Sequence, residues 1–240
     1  MNFELLKTEL ASLTRGLKEF VQYQRRLGLQ QVEGALPGAR PQSKPAPEQT
    51  RETPAVLSLE EIRQEMGDCR RCKLWRTRKN LVFGVGSPQA RLMFIGEAPG
   101  EEEDHQGEPF VGAAGQLLNR MLGKLTLTRE EIYITNVIKS RPPGNRNPDA
   151  EEIAACRPFL LKQIQAIRPH IIVTLGAVAT HALLDTKAPL HRLRGNWQQW
   201  QGIPVMPTYH PSYLLRVPQE RIKTWEDMQQ VMARYRGQPD

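Results

Sequence analysis

Three stretches of the chain gather residue types that do chemistry. "GEAPGEEEDHQGEPFVGAAG" (96–115) crowds six carboxylates, Glu97, Glu101, Glu102, Glu103, Asp104 and Glu108, among glycines, prolines and one aromatic ring, Phe110. "TNVIKSRPPGNRNP" (135–148) carries Asn136 and Asn145, and "YHPSYLLR" (209–216) carries His210. An Asn amide has both a donor and an acceptor, which suits a planar ring that presents both. An aromatic plate suits stacking on a base. A His can donate to an oxygen that gains negative charge as a bond breaks. Gly96 and Gly100 would let backbone approach a ligand closely. Arg141, Arg146 and Arg216 stand beside these residues and suit phosphates. Taken singly, each residue has an ordinary structural use: a tight turn for the glycines, a strand end for Asn136, the core for Phe110, a loop for His210. Convergence favours chemistry, because the stretches follow successive predicted strands.

Those strands read as "ARLMFIG" (90–96), "YITNVIK" (133–139), "HIIVTLG" (170–176) and "IPVMPTYHP" (203–211), the last running into a loop. Helical spacing falls between and around them, over "AGQLLNRMLGKL" (114–125), "DAEEIAACRPFLLKQIQAI" (149–167, adjusted around Pro158), "AVATHALL" (177–184) and about 219–236. Ser58 with Glu61, and Thr128 with Glu131, have capping-box spacing. Strands separated by helices predict a three-layer αβα sandwich around a central, mainly parallel four-stranded sheet. In such folds ligands bind at the carboxyl ends of the strands, so these loops make one pocket.

The folded domain is expected over 58–240. Before it, 34–57 is rich in Pro, Gly and Ala and reads as a disordered linker, and 1–33 as a helical extension with Leu5, Leu6, Leu10, Leu13, Leu17, Phe20 and Val21 near one face. That helix is a surface helix or a docking site for a protein partner. No apolar run approaches a bilayer span and the N-terminus lacks a signal-peptide core, so the expectation is a soluble, cytoplasmic protein without a membrane partner. A net charge of +7 favours a polyanionic partner such as nucleic acid. Three cysteines are too few for a disulfide framework.

In this order, the three stretches resemble the motifs of the family 4 uracil-DNA glycosylases, the iron–sulfur branch of the uracil-DNA glycosylase superfamily, over roughly residues 58–236. The resemblance implies an enzyme, by default a monomer, that flips uracil from DNA into a fitted pocket and hydrolyses its N-glycosidic bond. By matching motifs, Phe110 would stack on the base, Asn136 would select uracil over cytosine, and His210 would stabilise the departing uracil anion. Glu97, with Glu103, Asp104 and Asn145, would position water or the sugar, with Gly96 and Ala98 at the substrate. Ser212, Leu214, Leu215 and Arg216, with Arg141 and Arg146, would contact DNA, one leucine filling the gap left by the base. A related group bonds covalently to the sugar through a His in the second loop and has Gln where Ala98 stands. No His occurs in "IKSRPPGNRNP", so turnover without a stable adduct is expected.

"CRRC" (Cys69, Cys72) alone is compatible with zinc, iron–sulfur or redox chemistry, and Cys156 with a small buried residue. The resemblance implies a [4Fe–4S] cluster on four cysteines, three matching Cys69, Cys72 and Cys156. The fourth position holds Ser140. Ligation by a Ser140 alkoxide, a cluster with an open or missing iron, and no cluster are all open; a bound cluster is the expectation. A second reading is a catalytically weak DNA-binding or repair-complex protein, supported by Ser140 and the N-terminal extension, and opposed by Phe110, Asn136 and His210 together. A phosphate cradle at "GEAPG" is disfavoured by its negative charge and the absence of a following Lys/Ser pair.

Overall fold

A computed structural model describes residues 56–237, and the predicted N-terminal helix and most of the predicted linker lie outside it. The domain opens with α1 (Leu59–Met66), whose start was legible: Glu61 N donates to Ser58 Oγ (3.2 Å) and Ser58 N to Glu61 Oε2 (2.7 Å). The Thr128 turn keeps half of its box, Thr128 N donating to Glu131 Oε2 at 2.8 Å.

The sheet is built from β1 (Val85–Gly86), β2 (Leu92–Gly96), β3 (Tyr133–Asn136), β4 (Ile171–Leu175), β5 (Gln198–Trp200) and β6 (Ile203–Thr208), in the order β1-β3-β2-β4-β6-β5. The four expected strands form its parallel centre, with Gly96 opposite Asn136 and Leu175 opposite Thr208 at the carboxyl edge. The expected count of four becomes six, because β1 and β5 add antiparallel edges. Both are two or three residues long, one containing Gly and the other polar, too short to show a period. Short edge strands also limit edge-to-edge pairing.

The layers follow from strand alternation. Leu92, Phe94, Ile134, Val173 and Met206 point to one face, where they pack with α3 (Ala113–Lys124) and with α8 (Arg221–Arg236) through Leu118, Leu122, Met228 and Val231. Met93, Ile95, Tyr133, Ile172 and Val205 point to the other. There they meet α4 (Ala150–Ile167) and α5 (Ala177–Leu184) through Leu160, Ile164, Ala179 and Leu183. The α4 helix runs through Pro158 without a break and is started by an Asp149–Glu152 capping box. On its outer side Phe159 meets Ile62 and Met66 of α1 in a satellite cluster. The short α2 (Glu101–Gln106), α6 (Leu190–Leu193) and α7 (Pro211–Arg216) decorate the carboxyl edge.

The β3 strand stops three residues before its predicted end. Val137 N and Ile138 N still donate to Gly96 O and Glu97 O (2.9 and 3.2 Å), but the chain turns so that Lys139 reaches back under the strand. Its Nζ donates to Thr135 Oγ1 (2.5 Å), Asn136 O (2.7 Å) and Gln163 Oε1 (2.7 Å). A fully buried ammonium is stable only with such partners, so Lys139 fixes the backbone from which the Asn136 side chain emerges.

Candidate active site

The loops after β2, β3, β4 and β6 enclose one cavity of about 720 Å³. Its lining includes Glu97, Ala98, Glu103, Phe110, Asn136, Asn145, Arg146, Tyr209, His210, Ser212 and Arg216. Gly96 is outside the lining but packs against two lining residues: a Cβ there would come within 2.3 Å of Asn136 Oδ1 and 2.5 Å of the Phe110 ring. No side chain fits there, so Gly96 lets the amide and the ring approach the same point.

Phe110 is buried yet adopts φ 56°, a conformation unfavourable for a bulky residue. Two side chains hold it. Arg129 donates to the carbonyls of Pro109 (2.6 Å) and Phe110 (3.1 Å), and Glu103 accepts from the next two amides, Val111 N and Gly112 N (both 2.9 Å). Gly115 completes the fit, since a Cβ there would overlap the Phe110 carbonyl at 1.8 Å. The fixed ring lies 5.6 Å from the His210 ring, tilted by 34°. Arg129 was not singled out in the sequence, where it reads as a surface cation before two glutamates.

His210 is the N-cap of α7, and its Nδ1 accepts from Ser212 N (3.1 Å) and lies 2.8 Å from Ser212 Oγ. A backbone N–H can only donate, so Nδ1 carries the lone pair. Burial pulls the His210 pKa down to about 4, with the Arg216 charge adding to the effect. The ring is therefore neutral near pH 7 and its proton sits on Nε2. That Nε2–H is buried and has no partner among the described residues, and neither has the buried Asn136 Oδ1. A donor and an acceptor are thus left waiting beside one aromatic plate. Leaving such groups unpaired costs about 1–3 kcal/mol each, which a ligand can recover.

The remaining predicted residues divide. Glu97 lines the cavity, half-buried, and burial raises its pKa above the ordinary carboxylate range. The Glu103 carboxylate also lines it, but its oxygens accept from Gly100, Val111 and Gly112 amides. Asp104 is buried outside the lining and accepts from Lys79 N (2.9 Å) and Asn80 N (3.3 Å), fastening α2 to the preceding loop. Asn145 Oδ1 accepts from Arg141 Nε at 2.7 Å. Arg146 makes a forked pair with Glu152 at 2.6 and 2.9 Å. Within α7, Leu214 is fully buried while Leu215 is 37% exposed, so of the two leucines only Leu215 is presented to solvent.

Behind β3 lies the cysteine corner. Lys139 N donates to Cys156 Sγ (3.3 Å), Arg71 Nη1 to Cys69 Sγ (3.4 Å), and Arg78 Nη1 to both Cys69 O (2.6 Å) and Ser140 Oγ (3.4 Å). Burial raises the pKa of Cys72 and Cys156, and the neighbouring thiols add to it, Cys69 at Cys72 and both Cys69 and Cys72 at Cys156. Among the described residues no group of three or more His, Cys, Asp or Glu side chains is drawn together as a metal site. A multi-iron cluster spaces its ligands more widely than one ion does, because each sulfur binds a different iron. In donor type the corner offers three thiols, Cys69, Cys72 and Cys156, and the Ser140 hydroxyl.

A sequence model of the uracil DNA glycosylase superfamily matches residues 83–231, a span holding every cavity residue named above. The chain is 45% identical over 191 residues to the type-4 uracil-DNA glycosylase of Saccharolobus solfataricus, covering 76% of this chain and 88% of that one. It is 48% identical over 160 residues to the type-4 enzyme of Thermotoga maritima, covering 66% and 83%. Identity to a type-5 uracil-DNA glycosylase of Pyrobaculum aerophilum is lower, 32% over 176 residues, covering 65% and 76%. The chain belongs to the uracil DNA glycosylase superfamily and, within it, to the type-4 branch.

Proposed function

We propose that the protein is a uracil-DNA glycosylase of base excision repair, which hydrolyses the bond between uracil and deoxyribose and leaves an abasic site. The observation that carries this reading is the pair of unpartnered buried atoms, Asn136 Oδ1 and His210 Nε2–H, beside the fixed Phe110 ring. Uracil presents a ring N–H flanked by two carbonyls. Its N–H matches Asn136 Oδ1 and a carbonyl oxygen matches His210 Nε2–H. Cytosine has a lone pair where uracil has that N–H, and would leave Asn136 Oδ1 facing an acceptor.

In this reading the flipped base stacks on Phe110, and the sugar–base bond breaks with its electron pair passing to uracil. The oxygen that becomes anionic accepts from the neutral His210, whose position is set by Ser212 before the reaction begins. Water supplies the oxygen that bonds to the sugar carbon, and Glu97 takes the proton that water loses. Negative charge around the first loop favours the positive charge that develops on the sugar. Leu215 and Arg216 face the DNA, Leu215 filling the space left by the base. We further assign an iron–sulfur cluster to Cys69, Cys72, Cys156 and Ser140. It carries no step of the reaction and ties the "CRRC" segment to α4 and to the loop after β3.

The test is excision from an end-labelled oligonucleotide containing one uracil, followed by alkaline cleavage. Cleavage at the uracil position, with none when cytosine replaces it, supports the reading. Intact oligonucleotide after incubation with folded protein that binds DNA refutes it.

A further inference from the structure

The charge of the chain is concentrated. Between Asp68 and Lys79 there are six cations, Arg70, Arg71, Lys73, Arg76, Arg78 and Lys79, against one carboxylate, Asp68, so this short segment alone carries +5 of the chain's net +7. The cavity does not use this charge. Nor is it all consumed internally: Arg78 is buried against Asp68, and Arg71 turns to backbone carbonyls, but Arg70 and Arg76 flank a tryptophan. Trp75 is 37% exposed and is the only aromatic among the exposed large apolar side chains of the described residues. The Arg70 guanidinium lies 5.0 Å and that of Arg76 5.7 Å from its ring centroid. Arg70 also pairs with Asp68 at 3.1 Å, but both side chains are largely exposed, and such a pair yields readily to a phosphate.

The segment adjoins the walls of the cavity. Lys73 pairs with Asp149 (2.5 Å) and approaches Glu152 (3.9 Å), the carboxylate that holds Arg146 of the cavity lining. Lys79 N and Asn80 N bind Asp104 in the acidic loop, and Lys79 Nζ lies 2.9 Å from His105. Lys73 and Lys79 thus tie the Arg70–Trp75–Arg76 segment to residues that neighbour the cavity lining. An exposed ring bracketed by guanidiniums is the chemistry of a single-strand platform: the ring stacks on a base of any sequence, and the cations hold the phosphates on either side.

We propose that Trp75, with Arg70 and Arg76, is a second nucleic-acid contact, binding an unpaired or distorted stretch of the strand beyond the nucleotide held in the cavity. It rests on the glycosylase reading for the identity of the polymer as DNA. It adds affinity and leaves the chemical step alone.

The test is binding of a labelled, uracil-free single strand of about 20 nucleotides by fluorescence anisotropy across a salt series, together with excision kinetics on long and very short uracil oligonucleotides. Trp75→Ala is expected to weaken binding about tenfold, as for loss of one base–aromatic stack. Trp75→Phe keeps a plate and restores most of that loss. Arg70→Ala with Arg76→Ala lowers the slope of log affinity against log salt by about one to two. On the long substrate KM rises in parallel with kcat unchanged, and on the short one neither changes. Trp75→Ala and the double arginine variant binding the strand within twofold of wild type, with the same salt slope, would overturn the proposal. Binding of uracil-free DNA does not depend on excision, so an inactive wild-type protein that loses affinity on these substitutions would sink the glycosylase reading and leave this contact standing.

Discussion

A fully buried lysine behind β3 and a partly buried histidine after β6 are treated in opposite ways. Below the strand, the Lys139 ammonium has an acceptor for each of its three protons. Above the edge, His210 has one nitrogen satisfied by Ser212 and the other unpartnered among the described residues. Both are drawn toward neutrality by burial, Lys139 down to about 7 and His210 down to about 4. A completed set of hydrogen bonds supports the fold. An incomplete one is a cost to the fold that only a ligand repays, and the same holds for Asn136 Oδ1.

The contrast breaks most visibly at the unpartnered atoms. His210→Ala and Asn136→Ala should each lower the excision rate by about 100- to 1,000-fold, as loss of one preorganised transition-state contact does. Binding of uracil-free DNA should hardly change, and wild-type turnover in both variants would remove their assigned roles. Arg129→Met comes next. It frees the carbonyls of Pro109 and Phe110 and lets the strained residue relax, so excision should fall up to about 100-fold while DNA binding persists. Arg129→Lys, which can still reach one carbonyl, should recover part of the rate; equal rates in all three proteins would show that the ring needs no clamp.

At Lys139 the expected effect moves from activity to stability. Lys139→Met removes three buried hydrogen bonds and should lower unfolding free energy by about 2–4 kcal/mol, whereas His210→Ala should cost about 1 kcal/mol. Denaturant titration of the two variants compares them directly, and a larger loss at His210 would reverse the contrast.

The pH dependence sharpens it further. A histidine whose folded pKa lies below its unfolded value binds fewer protons when folded, so its contribution to stability falls as pH drops from about 6.5 toward 4. Above that window it stays neutral and able to donate. The carboxylate of Glu97, its pKa raised by burial, protonates earlier than ordinary carboxylates and should set the acid limb of kcat. A rate profile whose acid limb is the same in Glu97→Gln would contradict this. The smallest effect on rate is expected at the cysteine corner: Ser140→Cys should raise iron per protein and absorbance near 400 nm, with excision changed less than about twofold. No gain in iron would show that the Arg78-contacted position is not a ligand site.

Much of this architecture is legible in the sequence because it rests on short-range rules. The buried runs of β2, β4 and β6, the periodic face of α3, and the Ser58–Glu61 box each announce themselves locally. The edge strands do not, being too short to show a period. In the site, the residue types and their loops could be read, but not their division of labour. Glu103 and Asp104 look like further active carboxylates until the structure places backbone amides against both. Arg129 was invisible because it acts across about twenty residues of chain, on carbonyls that any sequence would offer. Leu214 and Leu215 are alike in sequence, and only the packing of α7 tells the buried one from the exposed one.

The central claim is that His210 presents a neutral Nε2–H to the base. The direct measurement is nitrogen-15 NMR of imidazole-labelled protein between pH 5 and 8, with and without free uracil. The account predicts a neutral ring protonated at Nε2 throughout, and a shift of that N–H when uracil binds, lost in Asn136→Ala at the same uracil concentration. A ring that is cationic at pH 6, one protonated at Nδ1 when neutral, or no shift at saturating uracil would contradict it.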